Sequence, residues 1–306
     1  MRPLVFLFLA ACHSAPVPAP PPPVVEPARA PAATAPVVAP AASAAPVVDA
    51  YDLAADREAR LASARSELGG KTSSAVIGES FVVVGTPGGS WGASVTLMRN
   101  AMTALLNERF EHRPEKAITV YLLPDAASYE ALCQKKYGAP CIAHFGFYQP
   151  GDRAMIMNIG LGIGTLTHEL VHPLVEADFP EAPTWINEGI ASVFEQPVLP
   201  RKGEIHGAKN WRLPRLRSGL AAKQIRLDQL FTMGDETFRG PREDLHYAAA
   251  RYVCQWLDEQ EKLWPFFRKW RASHATDPTG AKTFAEVVGM TPEDAHAPWA
   301  RWVAGL

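Results

Sequence analysis

The chain has 306 residues, 20% of them charged, and a formal net charge of -2, so no overall basic field calls for a nucleic-acid partner. Beyond the N-terminal start no apolar run is long enough to cross a membrane. Residues 49–306 suffice for one large domain or two subdomains sharing a cleft.

The chain opens "MRPLVFLFLAACHS", one basic residue followed by an apolar run from Leu4 to Leu9 and small residues before a cysteine. That run is too short to span a bilayer and reads as an export signal. "LAAC", Leu9 to Cys12, resembles the lipobox of bacterial lipoproteins. The resemblance implies a signal peptide over residues 1–11, cleavage before Cys12 and lipid attachment at the Cys12 thiol. The mature protein is then expected in the bacterial cell envelope, held to a membrane by its lipid, or secreted if the lipobox is not used. Residues 12–48 are almost entirely Pro, Ala and Val, and are expected to form a disordered, extended tether of polyproline character.

After the tether, "DREARLASARSEL" (Asp56–Leu68) has helical spacing, and "SFVVVG" ending at Gly85 reads as a strand. "ASVTLMRNAMTALLNERF" places Val95, Leu97, Met98, Met102 and Leu105 at three- and four-residue steps, the pattern of an amphipathic helix. "AITVYLL" is a strand. "DAASYEALCQKKYG" is a helix with Asp125 as cap and Gly138 as its end. "AHFGFY" and "AMIMNI" are further strands, and beyond Gly164 the pattern is nearly all helical. The expected fold class is α+β: a sheet-and-helix half over residues 49–178 and a mainly helical half over residues 179–306. Cys133 and Cys141 lie close enough in "LCQKKYGAPC" to close a small disulfide loop, although sequence does not show their side chains facing each other. Cys254, among apolar residues, reads as a buried thiol. The basic stretch from Arg201 to Arg226 is a solvated loop or a rim for acidic substrates.

The densest chemistry lies in "THELVHPLVEADFPEAPTWINEGIASVFE", Thr167 to Glu195. His168 and His172 are four apart, so a helix stacks them on one face within reach of a single ion. Glu169 falls about 100° round the axis, beside that face. Two neutral imidazoles holding Zn²⁺ and an adjacent carboxylate taking a proton from water is the division of labour of metal-assisted hydrolysis. A third ligand is offered by Glu188, on a second helix that the prolines of "PLVEADFPEAPT" can turn back against the first. An acid set between Ile186 and Ile190 is costly to bury unless paired or metal-bound. Pro173 directly follows His172 and is expected to kink the helix there.

"HELVH" followed by "NEGIA" resembles the gluzincin metallopeptidases, nearest to their bacterial peptidase-MA-like branch. The likeness runs from about Phe81 onward, with specific motifs only at these two helices. It implies one Zn²⁺ held by His168, His172 and Glu188, with Glu169 as catalytic base. It also implies a zincin-like fold with the cleft between its halves, and peptide or protein substrates. Tyr247 in "LHYAAARYV" best matches the family's oxyanion-donating tyrosine, or else it only packs between helices; His246 beside it is a second candidate. The Gly-Ala-Met-Glu-Asn motif of the clan's aminopeptidases is replaced by "RAMIMN" (Arg153–Asn158), which lacks the acid, so an endopeptidase is expected. That segment is either an edge strand pairing with substrate, with Asn158 as a substrate contact, or a core strand. Asn187 is a candidate for binding substrate or fixing Glu188, and Ser192 for supporting an imidazole.

Two other readings stand beside this one. "GGSWG", Gly88 to Gly92, satisfies the G-x-S-x-G pattern of a serine hydrolase, with Ser90 as nucleophile, but too little folded chain precedes it for that sheet. The other is a lipid-anchored scaffold or binding protein whose zinc only braces two helices.

Overall fold

The structure is a computed structural model that describes residues 51–306; the expected signal peptide, Cys12 and the expected tether lie outside the described residues. In chain order the elements are α1 (Leu53–Leu68), β1 (Ser73–Ile77), β2 (Phe81–Gly85), α2 (Trp91–Glu108), β3 (Ile118–Leu123), α3 (Ala126–Tyr137), β4 (Gly146–Gln149), β5 (Ala154–Asn158), α4 (Gly164–Asp178) and α5 (Thr184–Val193). They continue with β6 (Pro197–Val198), β7 (His206–Gly207), α6 (Leu213–Ala221), α7 (Asp235–Phe238), α8 (Glu243–Asp258), α9 (Leu263–Ser273), α10 (Ala281–Val288) and α11 (Pro292–Gly305). The fold is mixed α and β, with its sheet in the first half and helices dominating the second.

Local chemistry sets several boundaries. Asp52 accepts from the Ala54 and Ala55 N–H groups to start α1, and Asp125 accepts from the Ser128 N–H to start α3. Gly138 ends α3 at φ 66°, the left-handed turn that glycine takes without steric cost. Sequence patterning does not reveal β1, whose residues alternate between half-buried and exposed until Ile77, nor the two-residue strands β6 and β7 inside the helical half.

The five-stranded sheet has the order β1-β2-β3-β5-β4. Strands β2, β3 and β5 run parallel, while β1 and β4 pair antiparallel at the two edges. "RAMIMN" is therefore a core strand, and the edge beside the helical half belongs to β4. Every residue of β2, β3 and β5 is buried because both sheet faces are covered. Val82, Val84, Tyr121 and Ile156 pack with α1 and α3 on one face. Phe81, Val83, Val120, Met155 and Met157 face α2 and α4 on the other, within a core that continues without interruption into α5, α8 and α9. The two halves thus share one hydrophobic core. Among the described residues no helix is long and apolar enough to cross a membrane.

Helix α4 runs through Pro173 to Asp178, so the proline does not end it. Its last residue is a clasp. The Asp178 carboxylate, fully buried, accepts from the Glu111 N–H at 3.2 Å and the His112 N–H at 3.1 Å, and meets the His112 ring and the Arg271 guanidinium. It ties α4 to the loop after α2 and to α9. Asp178→Ala leaves these donors facing a void, and is expected to lower unfolding stability by about 3 kcal/mol, read as a drop in the denaturant midpoint.

Candidate metal centre

Helix α4 presents His168, Glu169 and His172 on its inner side, and one ligand atom from each lies within 4.8 Å of the others. His168 and Glu169 are 5% and 3% exposed. Helix α5 packs against α4 and brings in Glu188, 4% exposed. Its position depends on the next residue. A Cβ on Gly189 would lie 2.7 Å from the Cys254 sulfur and 3.0 Å from the Ala250 carbonyl oxygen, so glycine there lets α5 lie close against α8.

The Glu188 Oε2 atom stands 3.4 Å from His168 Nε2 and 3.9 Å from His172 Nε2. It is buried and has no hydrogen-bond partner among the described residues. The His172 Nδ1–H donates to Asn187 Oδ1 at 2.9 Å, which leaves Nε2 of that ring with its lone pair pointing inward. The Glu188 oxygen and the inner nitrogens of both imidazoles converge here. Ligands about 2.0–2.1 Å from a tetrahedral Zn²⁺ stand roughly 3.3–3.4 Å from one another. The 3.4 Å separation from His168 meets that requirement and the 3.9 Å separation from His172 exceeds it by about 0.5 Å, so the residues fit the ion once the site closes slightly around it.

The surrounding charges point the same way. Burial opposes charge on His168, but Glu188 and Glu195 on the two sides of its ring carry its pKa up to about 10. Burial also opposes charge on Glu188, yet His172, His168 and Arg239 hold its carboxyl well below the usual range. Glu169 differs: burial dominates and pushes its carboxyl up. The pocket draws positive charge toward its centre.

Residues that the sequence reading did not single out hold the ligands in place. Glu195 Oε1 lies 3.4 Å from His168 Nδ1, and its carboxylate is gripped by Arg212 at 2.6 and 2.9 Å and by Asn210 at 2.8 Å. Arg239 donates from Nη2 to Glu188 Oε1 at 2.9 Å and from Nη1 to the Tyr247 hydroxyl at 3.0 Å. Glu195 follows Glu188 by seven residues, two helical turns, a spacing that could have flagged it. Arg212 and Arg239 sit at helix ends remote in sequence and carry no such signal. Asn187 bonds to His172 and not to Glu188, and it lines the cleft, where the other expected role, contact with substrate, stays open to it.

The centre opens into a cleft of about 300 Å³. Glu169, His172, Asn187, Glu188 and Arg239 line it together with Tyr148 and Gln149 of β4. Glu169 Oε2 accepts from the Tyr148 N–H at 2.9 Å and stands 3.9 Å from His172 Nε2. Tyr247, 6% exposed, is reached through Arg239 and does not line the cleft. His246 turns its Nδ1 to the Phe238 carbonyl oxygen at 2.9 Å, away from the centre. Asn158 is buried at the end of β5 and is not a cleft residue. Ser192 is buried with no hydrogen-bond partner among the described residues, so it supports neither imidazole. Ser90 lies exposed at the start of α2, with no side-chain hydrogen bond to a histidine among the described residues. Cys254 is a buried free thiol, as expected, and Cys133 and Cys141 are joined in a disulfide.

No family model matches the chain, and no curated protein matches it in sequence. The site therefore stands on its own geometry. Asn187→Ala removes the acceptor that orients His172, and zinc affinity measured by chelator competition is expected to fall roughly 10–100-fold with the fold intact by circular dichroism.

Proposed function

We propose that the protein is a zinc-dependent peptidase, an endopeptidase of gluzincin type, with His168, His172 and Glu188 as the ligands of one Zn²⁺. The observation that carries this reading is the partnerless Glu188 Oε2 facing two imidazole nitrogens, with the buried Glu169 carboxylate beside them in an open cleft. The division into a sheet-bearing half and a helical half, with the cleft between, fits a zincin-like plan. Lipid attachment at Cys12 and an envelope location rest on the N-terminal sequence alone.

Zinc supplies Lewis acidity, polarising a substrate carbonyl and making a water acidic near neutral pH. Glu169 takes the proton from the attacking water and returns it to the leaving amine. The Tyr148 N–H holds one of its oxygens, so the carboxylate is aimed before substrate arrives. Arg239 brings a cationic donor to the cleft wall, where negative charge develops on the carbonyl oxygen. The oxyanion role expected of Tyr247 passes to Arg239, with Tyr247 orienting its guanidinium. Asn187 keeps His172 aimed through its outer nitrogen, and the Glu195 carboxylate stands 3.4 Å from the outer nitrogen of His168.

The β4 edge suits an extended peptide. Phe145 O accepts from Asn158 N at 2.9 Å, which spends that residue's carbonyl on β5. Two-residue alternation then turns the backbone of Gly146 and Tyr148 outward, and the Tyr148 N–H reaches Glu169 accordingly. The outer side of β4 can accept another strand.

The test combines metal analysis with cleavage of casein and quenched peptides. The wild-type chain is expected to hold one zinc per molecule, and chelation to stop cleavage. Glu169→Gln is expected to keep the zinc and lose roughly 10²–10⁴-fold in kcat. Zinc retained with no cleavage by the wild type would leave the anchored-scaffold reading, and equal cleavage by Glu169→Gln would remove Glu169 from the chemistry.

A further inference from the structure

The loop between α3 and β4, residues 138–145, has no regular structure, yet it is tethered at several points beside the cleft. Cys141 is bonded to Cys133, which is fully buried on α3, with the two Cα atoms 5.3 Å apart. The Cys141 N–H donates to Glu130 Oε2 at 3.0 Å, and the Tyr129 hydroxyl donates to the Ala143 carbonyl oxygen at 2.7 Å. Between these fastenings sits Ile142. It is 44% exposed and it lines the cleft. A large apolar side chain held in water by a covalent bridge and two flanking hydrogen bonds is not explained by core packing.

Other apolar residues line the same cleft. Pro180 and Ala182, in the turn into α5, carry its more accessible apolar surface, over the buried Val175, Phe179 and Phe147. His172 and Glu169 border the same space. A substrate side chain lying against Ile142 in this cleft loses its water to apolar carbon, and a polar one loses its hydration without replacement.

We propose that the Cys133–Cys141 loop is the specificity element of the cleft, holding Ile142 as an apolar wall that selects peptides with a branched aliphatic or aromatic side chain beside the scissile bond. The proposal rests on the peptidase reading for the words "scissile bond", and on the cleft alone for the preference. Ile142 is the specificity-determining residue and the bridge positions it.

Binding is measured on the full chain carrying Glu169→Gln and loaded with zinc, so that no turnover intervenes. The probes are two capped peptides identical except for Leu or Ser at a central position, titrated by calorimetry. The Leu peptide is expected to bind about tenfold tighter, the scale set by filling an apolar pocket. Adding Ile142→Ser is expected to bring the two affinities within about twofold, with zinc content unchanged. Cys133→Ser with Cys141→Ser is expected to do the same, and Ile142→Ser keeps the test decisive if the double variant fails to fold. An undiminished Leu preference in Ile142→Ser, or no preference in its parent, overturns the proposal. The peptidase reading fails separately. Leu-selective binding without cleavage by the wild type leaves the wall standing, whereas equal cleavage of both peptides removes the wall and leaves the peptidase.

Discussion

A buried carboxylate oxygen pointing at two imidazole nitrogens needs positive charge between them, from a cation or from a protonated imidazole. Glu188 Oε2 occupies that position, and the surrounding architecture holds it there. Gly189 lets α5 approach α8 closely enough to fix the depth of Glu188. Arg239 takes the other oxygen, which leaves Oε2 alone to face the imidazoles. Asn187 and Glu195 approach the imidazoles from outside, so their Nε2 atoms face inward. Each contact would be a minor polar detail alone; together they leave few arrangements of the three ligand atoms.

The same constraint explains why the sheet and the helices share a core. Two of the ligands sit on α4, which packs on the sheet, and the third on α5, which packs on α8. Relative motion of the halves would change the ligand separations, and a shift of 1 Å would spoil a tetrahedral site. The continuous apolar packing from Met155 and Met157 through Leu170 and Leu174 to Ile190 and Val253 resists that motion. The Asp178 clasp fastens the far end of α4 to α9. The sheet also contributes directly to the site, through the Tyr148 N–H on Glu169.

The parts legible in sequence were those governed by short periodicities. Helical spacing placed His168, Glu169 and His172, and the cost of burying an acid singled out Glu188. Caps at Asp125 and Gly138 gave the limits of α3 closely. The rest depended on contacts between segments far apart. β1 is a strand because it pairs with β2, not because its own residues alternate clearly. The β4 edge and the interior place of β5 follow from a pairing order that composition does not encode, since both strands are short and apolar. Arg212 and Arg239 reach the centre from 17 and 51 residues beyond the acids they grip, without a local pattern to mark them. Pro173 bears on α4 in a different way. A proline costs a helix one hydrogen bond, and the tertiary packing of buried Leu170, Val171 and Leu174 outweighs that cost.

Whether a zinc here would be structural or catalytic turns on Glu169. A structural zinc is closed by four protein ligands. This centre offers His168, His172 and Glu188, while a further carboxylate, Glu169, accepts from the Tyr148 N–H and stands 3.9 Å from His172 Nε2. Glu188 stands as far from His172 Nε2, so what sets Glu169 apart is its hydrogen bond from the Tyr148 N–H, which suits a group that exchanges a proton with a nearby water. Arg239 pushes in the same direction. By sharing the charge of Glu188 it weakens the ligand field that a purely structural site would maximise, and leaves the ion more electrophilic. A chain needing zinc only as a brace gains nothing from a guanidinium on its anionic ligand or from a buried acid facing an open cleft, and both features favour a site arranged for hydrolysis.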